Sequence, residues 1–145
     1  MNILINIFKL TSFFIITAYP LQSFSQSSNG DPLANALFTK SDWSVFASEN
    51  PKQCWLVSMP KKSENTKNGR VVEVTRSKIL LYVSFWPDTK NRGEVSFTGG
   101  YPYNKNDVVD LNIDNKKFEL FVPEEGEFVL AKDSQADKKI VAAMK

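Results

Sequence analysis

The stretch VVDLNIDNKKFELFV, residues 108–122, decides the fold of this chain. Two runs of alternating apolar and polar residues flank Asp114 and Asn115, a pair that tolerates positive φ and suits a two-residue type I′ turn. Such a turn sets a register that pairs Ile113 with Lys116, Leu111 with Phe118, and Val109 with Leu120. The apolar side chains then share one face: Val109, Leu111, Ile113, Phe118, Leu120 and Val122. The pattern therefore predicts an antiparallel β-hairpin that buries one side.

Similar patterns on the N-terminal side predict further strands at residues 43–47, 54–59, 70–76, 79–86 and 94–98. The run at 79–86 is almost continuously apolar, which is typical of a central strand covered on both faces. Residues 70–76 alternate in character, which predicts an edge or half-exposed strand. The polar, charged stretch at 61–69 lacks periodicity and is expected to be a loop.

The hydrophobic period changes near the end of the chain. Ala136, Ile140 and Met144 recur at helical spacing, with Val141 and Ala143 beside them. Ser134 followed by Asp137 forms a weak capping box, since Asp stands where Glu or Gln is usual. About seven short strands and one late helix predict a mainly β fold, an antiparallel sandwich or barrel with a short C-terminal helix.

Residues 1–25 have the organisation of a secretory signal peptide. Lys9 is their only charge, a short apolar run follows it, and Ser23 and Ser25 are small residues at positions −3 and −1 of a cleavage site. The apolar run is shorter than the roughly 20 residues that cross a bilayer. We therefore expect three consecutive segments: a leader (1–25), a flexible segment (26–40) and a folded domain (41–145). The mature protein is expected to be periplasmic or secreted and not membrane-spanning.

Composition excludes several classes of function. The chain has 18 basic and 16 acidic residues, and loss of Lys9 with the leader leaves 17 against 16, too even a balance for a nucleic-acid partner. Histidine is absent, which removes Ser-His-Asp and Cys-His catalysis and the commonest zinc ligand. No cofactor or metal is expected. The basic group of Lys61, Lys62, Lys67 and Arg70 is either a solvated loop or a contact for anions or lipid headgroups.

Aromatic residues provide the candidate binding surface. Tyr101, Pro102 and Tyr103 follow two glycines, so two rings flank a rigid proline on a loop, where they could contact a partner or pack back on the domain. Trp43, Trp55 and Trp86 lie in predicted strands. They could line a ligand groove, but core positions are the more usual place for aromatic residues in strands.

Acidic and basic side chains provide weaker candidates. Glu124, Glu125 and Glu127 resemble a calcium or acid/base cluster but are more simply a solvated turn. Arg70, Arg76 and Arg92 could bind acidic groups, but ion pairs with the abundant Glu and Asp residues are the more usual role. A carboxylate-based hydrolase would combine Glu94 or Asp107 with Ser96 in a deep pocket, and no spacing supports it. A small-molecule or lipid carrier would need an apolar cavity between the sheets.

Cys54 is the only cysteine, and an odd cysteine is unusual in an exported protein. It can be a small buried apolar residue, a free thiol, or half of a disulfide whose partner lies elsewhere. Lipidation is not expected, because a lipoprotein cysteine stands at the cleavage site.

An ordered series of segments resembles the invasion-associated locus B family of alphaproteobacteria over about residues 43–145. The segments are NPKQCW (50–55), GRVV (69–72), ILLYVS (79–84), GEVSFTGGYPY (93–103), KFELF (117–121) and KIVAAMK (139–145). The resemblance implies an exported, non-enzymatic envelope protein with an immunoglobulin-like β-sandwich. It also implies a binding function, with a role in host-cell entry and virulence in some pathogens.

The resemblance carries one further implication. Members of that family continue past the last helix with more strands and often a second cysteine, and that cysteine would be the disulfide partner of Cys54. We therefore expect this sequence to lack the C-terminal part of the domain, and the partner of Cys54 to be absent from this chain.

Overall fold

A computed structural model of the chain describes residues 33–89, 92–123 and 126–145, and these belong to one compact unit. The predicted leader and residues 26–32 lie outside the described residues. The elements, in chain order, are β1 (Phe38–Lys40), β2 (Trp43–Glu49), β3 (Lys52–Ser58), β4 (Thr66–Lys67), β5 (Arg70–Val71), β6 (Leu80–Phe85), β7 (Arg92–Thr98), β8 (Val108–Ile113), β9 (Lys116–Phe121), β10 (Val129–Ala131) and α1 (Ser134–Ala143).

Eight of these strands form one antiparallel sheet in the order β1-β2-β3-β6-β7-β10-β9-β8. The sheet is strongly curled, because Leu56 of β3 packs on the same interior as Leu111 of β8, the last strand in the order. The two halves of the sheet therefore face each other in a sandwich-like arrangement. The predicted fold class, mainly β and antiparallel with a short C-terminal helix, is confirmed. Hydrogen bonding is continuous through all eight strands, so the two layers are halves of a single sheet.

The main core lies on the inner, concave face of the sheet. Its fully covered members come from both halves and from α1: Val83, Val95, Leu120, Val129 and Ile140. Burying an aliphatic side chain of this size stabilises the folded state by about 1.5–3 kcal/mol. This cluster is therefore the principal source of stability, and it joins strands that are distant in sequence.

A second, smaller core lies on the outer face of the sheet. Phe46, Val57 and Leu80 are buried there, under a turn that contains Leu33 and Ala36. The following residues, Phe38–Lys40, form the edge strand β1 against β2. Residues 33–40, in the predicted flexible segment, therefore include apolar contacts and strand pairing, and the division into segments stays a prediction.

The hairpin at residues 108–122 has the predicted register. Ile113 pairs with Lys116, and the later pairs bring Leu111 opposite Phe118 and Val109 opposite Leu120. Asp114 has a φ of 51°, but Asn115 does not have a positive φ, and a type I′ turn requires positive φ at both central residues. The apolar residues of both strands face the main core. The predicted register and buried face are therefore confirmed, whereas the predicted turn type is wrong.

The predicted strand at residues 70–76 is wrong beyond its first two residues. Only Arg70–Val71 is a strand, paired with Thr66–Lys67 in a two-stranded hairpin outside the main sheet. Residues 72–79 are irregular, and Val74 is exposed. The alternating residues find no neighbouring strand of the main sheet to pair with. The predicted loop at 61–69 correspondingly contains the short strand β4.

The helix α1 begins one residue earlier than the predicted capping box. Its N-cap is Asp133, whose Oδ1 accepts hydrogen bonds of 2.9 Å from the N–H groups of Gln135 and Ala136. These bonds lower the pKa of Asp133. Asp137, the predicted box partner, is instead buried and accepts a 2.8 Å hydrogen bond from the Val95 N–H.

That hydrogen bond explains where α1 lies. Strand β10 ends at Ala131, so its pairing with β7 covers only Ser96 and Phe97. The Asp137 carboxylate supplies an acceptor to Val95, which stands beyond that pairing. The apolar side of the helix, including Ile140 and Val141, packs on the same core. The helix thus completes the inner face where β10 has ended.

Candidate functional site

The structure separates the two tyrosines of the predicted binding loop. Tyr101 is 47% exposed, whereas Tyr103 is half-buried and packs against the main core. Their ring centroids are 5.2 Å apart, with planes tilted by 53°. Pro102 between them is exposed. The Tyr101 ring therefore faces solvent, and the Tyr103 ring packs between it and the main core.

The backbone on both sides of Tyr101 is fixed by hydrogen bonds. Ser77 donates its N–H to the Gly100 carbonyl at 2.9 Å, and Gly100 donates to Thr98 Oγ1 at 3.1 Å. Further on, Tyr103 donates its N–H to the Gly126 carbonyl. Gly100 has a φ of +78°, and a Cβ there would collide with the Ser77 carbonyl. Only glycine can make this turn, which holds Tyr101 in a defined position.

The hydroxyl of Tyr103 is part of the same support. Burial and the neighbouring Tyr101 raise its pKa, while a hydrogen bond with the Gly99 backbone and the charge of Arg76 oppose that rise. Arg76 Nη1 also donates to the Gly99 carbonyl at 3.4 Å. Gly99 leaves room for both rings, because a Cβ there would lie 2.7 Å from the Tyr103 hydroxyl. Tyr103 is therefore a positioning residue for the loop.

Tyr101 borders an open groove of about 610 Å³, called here the Tyr101 groove. The opposite wall comes from residues 64–67, which include β4, and from the irregular segment after β5. The lining residues are Glu64, Asn65, Thr66, Lys67, Val72, Val74, Thr75, Arg76 and Tyr101. One acidic and two basic side chains alternate there with apolar surface. A groove with mixed charge and an exposed aromatic ring is suited to polar and aromatic contacts with another molecule.

A second cavity, of about 250 Å³, lies between the two halves of the sheet and is called here the inner-face cavity. Its lining is mostly apolar and includes Met59, Ile79, Leu81, Phe97, Val109 and Leu111. Two polar residues, Ser58 and Asp110, also border it. This is the kind of cavity that the carrier alternative requires.

The three tryptophans do not form a groove together. Trp43 packs on the main core, and Trp55 belongs to the outer-face core, where its ring stacks on Phe46 at 5.6 Å and 9°. Trp86 is half-buried and donates its ring N–H to Gln53 Oε1 at 3.1 Å. The core interpretation is confirmed for Trp43 and Trp55, which lie on opposite faces of the sheet.

The residues considered for a hydrolase lie on two separate elements of the described part of the chain. Glu94 and Ser96 lie two residues apart on one face of β7, opposite Ser84 and Tyr82 of β6. Asp107 lies in a separate turn, where its Oδ2 accepts a 2.9 Å hydrogen bond from the Asn104 N–H. None of the three lines the Tyr101 groove or the inner-face cavity.

The acidic and arginine candidates have different outcomes. Glu124 and Glu125 lie outside the described residues, whereas Glu127 is exposed and borders a small pocket of about 140 Å³ with Tyr101 and Pro102. Among the described residues, no group of three acidic or cysteine side chains could hold a metal ion. Arg70 is exposed, and the side chain of Arg92 lies outside the described part of the structure. Lys61, a member of the predicted basic group, forms a 2.9 Å ion pair with Asp42.

Cys54 lies in the middle of β3, between Ala47 of β2 and Phe85 of β6, and is half-buried with a free thiol. Its predicted disulfide, to a cysteine outside this chain, stays a prediction.

Sequence reasoning missed the wall of the groove opposite Tyr101. The hairpin β4–β5 carries only two residues per strand, too few for a periodic pattern to be recognised. The available indicator was Asn68-Gly69, a pair typical of two-residue hairpin turns, and both residues have positive φ here.

Comparison with known proteins gives no relative: the chain matches no protein-family model, no curated protein and no solved structure. The resemblance to the invasion-associated locus B family therefore stays a prediction. Within the residues that the structure describes, no helix is long and apolar enough to cross a membrane.

Proposed function

We propose that this protein is an exported, non-enzymatic binding module that contacts a protein of the cell envelope through Tyr101 and the Tyr101 groove. The observation that carries the proposal is a half-exposed tyrosine held by a fixed backbone at the border of an open groove. Envelope location rests on the leader-like residues 1–25 and on the family resemblance, and a role in host-cell interaction rests on the resemblance alone.

The geometry of the loop supports binding because little conformational freedom remains to be lost. The turn at Gly100 is tied to Ser77, and Tyr103 supports the Tyr101 ring from below. A tyrosine offers a large contact area with only two side-chain torsions, so fixing it in advance lowers the entropic cost of association.

The chemistry of the groove indicates a protein as the partner. Glu64, Lys67 and Arg76 present both signs of charge beside the apolar side chains of Val72 and Val74. Nucleic acid would need a wall of uniformly basic character. An interface with an aromatic centre and a mixed polar border is typical of protein–protein recognition.

Site-specific photo-crosslinking tests this surface. A benzophenone amino acid is placed at position 101 of the full chain, which is expressed in an alphaproteobacterium and irradiated in intact cells. We expect a discrete crosslinked product between this chain and an envelope protein. The product should appear in the cell fraction that contains the chain after cleavage of residues 1–25. Tyr101→Phe, which keeps the ring, should still copurify with that protein, and Tyr101→Ser should not.

The matched control places the same group at Phe38 on β1. That side chain is 58% exposed, more than Tyr101, and does not border the groove. Non-specific contact through exposed apolar surface would label position 38 at least as strongly. Equal products at both positions, or none at position 101, would contradict the proposal.

A further inference from the structure

The inner-face cavity has properties that the proposed binding surface does not use. Its volume is about 250 Å³, and its walls come from both halves of the curled sheet: Leu81 and Phe97 on one side, Val109 and Leu111 on the other. An engineered apolar cavity of about 150 Å³ stays free of water and binds benzene. A space of this size and lining is thus large enough for a molecule of one or two rings or a short alkyl chain.

The cavity is open to solvent on the side of β8. This strand is the last in the sheet, so it pairs only with β9. Val109 and Leu111 are half-exposed for that reason, as are Ile79 and Leu81 opposite them. A ligand can therefore enter without unfolding the domain, and it would cover apolar surface on both walls at once.

The polar residues at the border restrict the chemistry of that ligand. Ser58 offers a hydroxyl that can donate to or accept from a small polar group, whereas Asp110 alternates with Val109 and Leu111 and shares the exposed face of β8 with Val108. The lining contains no lysine or arginine, so a ligand carboxylate would lose its hydration there without gaining a cationic partner. A neutral molecule with a hydroxyl group avoids that cost and keeps the apolar contacts.

We propose that the inner-face cavity is a binding site for a small, neutral, apolar molecule, such as a medium-chain alcohol or a one- or two-ring aromatic compound. The apolar part would lie between Leu81, Phe97 and Val109, with a hydroxyl group toward Ser58. This site is separate from the Tyr101 groove, with which it shares no lining residue.

The first test uses the unmutated protein with 1-octanol and its carboxylate analogue, octanoate. Octanol should bind saturably and should raise the melting temperature progressively once its free concentration exceeds its Kd, since a ligand of the folded state stabilises that state. Intermolecular NOEs should connect the octanol chain with the methyl groups of Leu81 and Val109. Octanoate should bind at least about tenfold more weakly. Absence of saturation, NOEs only to other residues, or equal affinity of the two compounds would overturn the proposal.

Two variants of β8 provide a matched pair. Val109→Phe places extra volume in the cavity and should weaken octanol binding by about tenfold or more. Val108→Phe makes the same change next to it, on the opposite, exposed face of the strand, and should leave the affinity unchanged. Leu111→Phe serves as a second filling variant if Val109→Phe does not fold, which near-UV circular dichroism would show. A filled cavity that still binds octanol normally would overturn the assignment.

Discussion

Residues 108–122 and residues 70–76 carry the same kind of alternating pattern but reach different structures. The first stretch forms a hairpin of two six-residue strands whose apolar side chains enter the main core. The second forms a two-residue strand, in which Val71 is exposed, and then an irregular segment, in which Val74 is exposed. An alternating sequence can form a strand with one apolar face. A stable strand also needs a neighbouring strand for backbone hydrogen bonds and an apolar surface on which that face can pack, and the alternation supplies neither.

The difference lies in what each stretch can reach nearby. Asp114 and Asn115 return the chain after six residues, so each strand of the first hairpin meets its partner at once. Asn68 and Gly69 also make a two-residue turn, but the preceding residues 61–65 are polar and offer no long partner strand. Val72 and Val74 therefore line the Tyr101 groove instead of entering the main core.

The largest effect is expected from removing apolar volume in the first region. Leu120→Ala should lower the free energy of unfolding by about 2–5 kcal/mol, because Leu120 is 1% exposed and its loss leaves a cavity. Val71→Ala, at a side chain 68% exposed, should change it by less than about 0.5 kcal/mol. Urea unfolding of both variants measures the difference. Similar values for the two would mean that the second region also carries core packing.

An intermediate effect is expected where a side chain replaces a missing strand neighbour. Asp137→Ala should cost about 1–3 kcal/mol, because the buried Val95 N–H then has no acceptor from Asp137. Asp137→Asn keeps a carbonyl oxygen in the same place and should retain part of that stability. Equal loss in both variants, measured by urea unfolding, would show that packing rather than the hydrogen bond is responsible.

The same residue gives a pH dependence of defined sign. Burial, the largest cause, raises the pKa of Asp137 above its ordinary 3.8, although the Val95 hydrogen bond opposes the rise. Between 3.8 and that raised value the unfolded chain releases the proton first, so stability falls as pH increases. Asp133 has a lowered pKa, so the stability it contributes is present above 3.8 and is lost below it. Asp137→Asn should remove only the fall in stability with rising pH that Asp137 causes, and should leave the dependence due to Asp133. Unfolding curves of both proteins measured at each pH would show this.

The smallest effect is expected at the first central residue of each of the two hairpin turns. Asp114 and Asn68 have φ values of 51° and 52°, and a β-branched residue in this conformation costs about 1–2 kcal/mol. Asp114→Val should lower global stability by that amount, since the main core depends on the hairpin. Asn68→Val should instead open only β4–β5, which hydrogen exchange of residues 66–71 would detect. A global loss in both would contradict the independence of the second hairpin.

The sequence allowed confident prediction where short-range chemistry and burial agree. The register at residues 108–122, the central strand at Leu80–Phe85 and the helix at Ser134–Ala143 all follow from local patterns. The exposed Tyr101 and the glycines before it were also recognisable, although their support by Ser77 and Tyr103 was not. These elements need little information from distant residues.

The rest depends on contacts between segments far apart in the chain. Strand β10 has three residues and exists because β7 and β9 lie on either side of it. Asp137 fits the pattern of a capping residue, but the Val95 N–H is 42 residues away in sequence and decides its position. The Tyr101 groove and the inner-face cavity combine segments in the same way, so a local pattern such as Asn68-Gly69 could indicate a turn but not the groove beside it.

The placement of two tryptophans on opposite faces of the sheet has a practical consequence for spectroscopy. Trp43 belongs to the inner core and Trp55 to the outer one, where it stacks on Phe46 beneath the turn at Leu33. Variants that retain one indole each would emit from a single face. Their fluorescence would then report separately whether the N-terminal turn lifts away or the concave interior loosens.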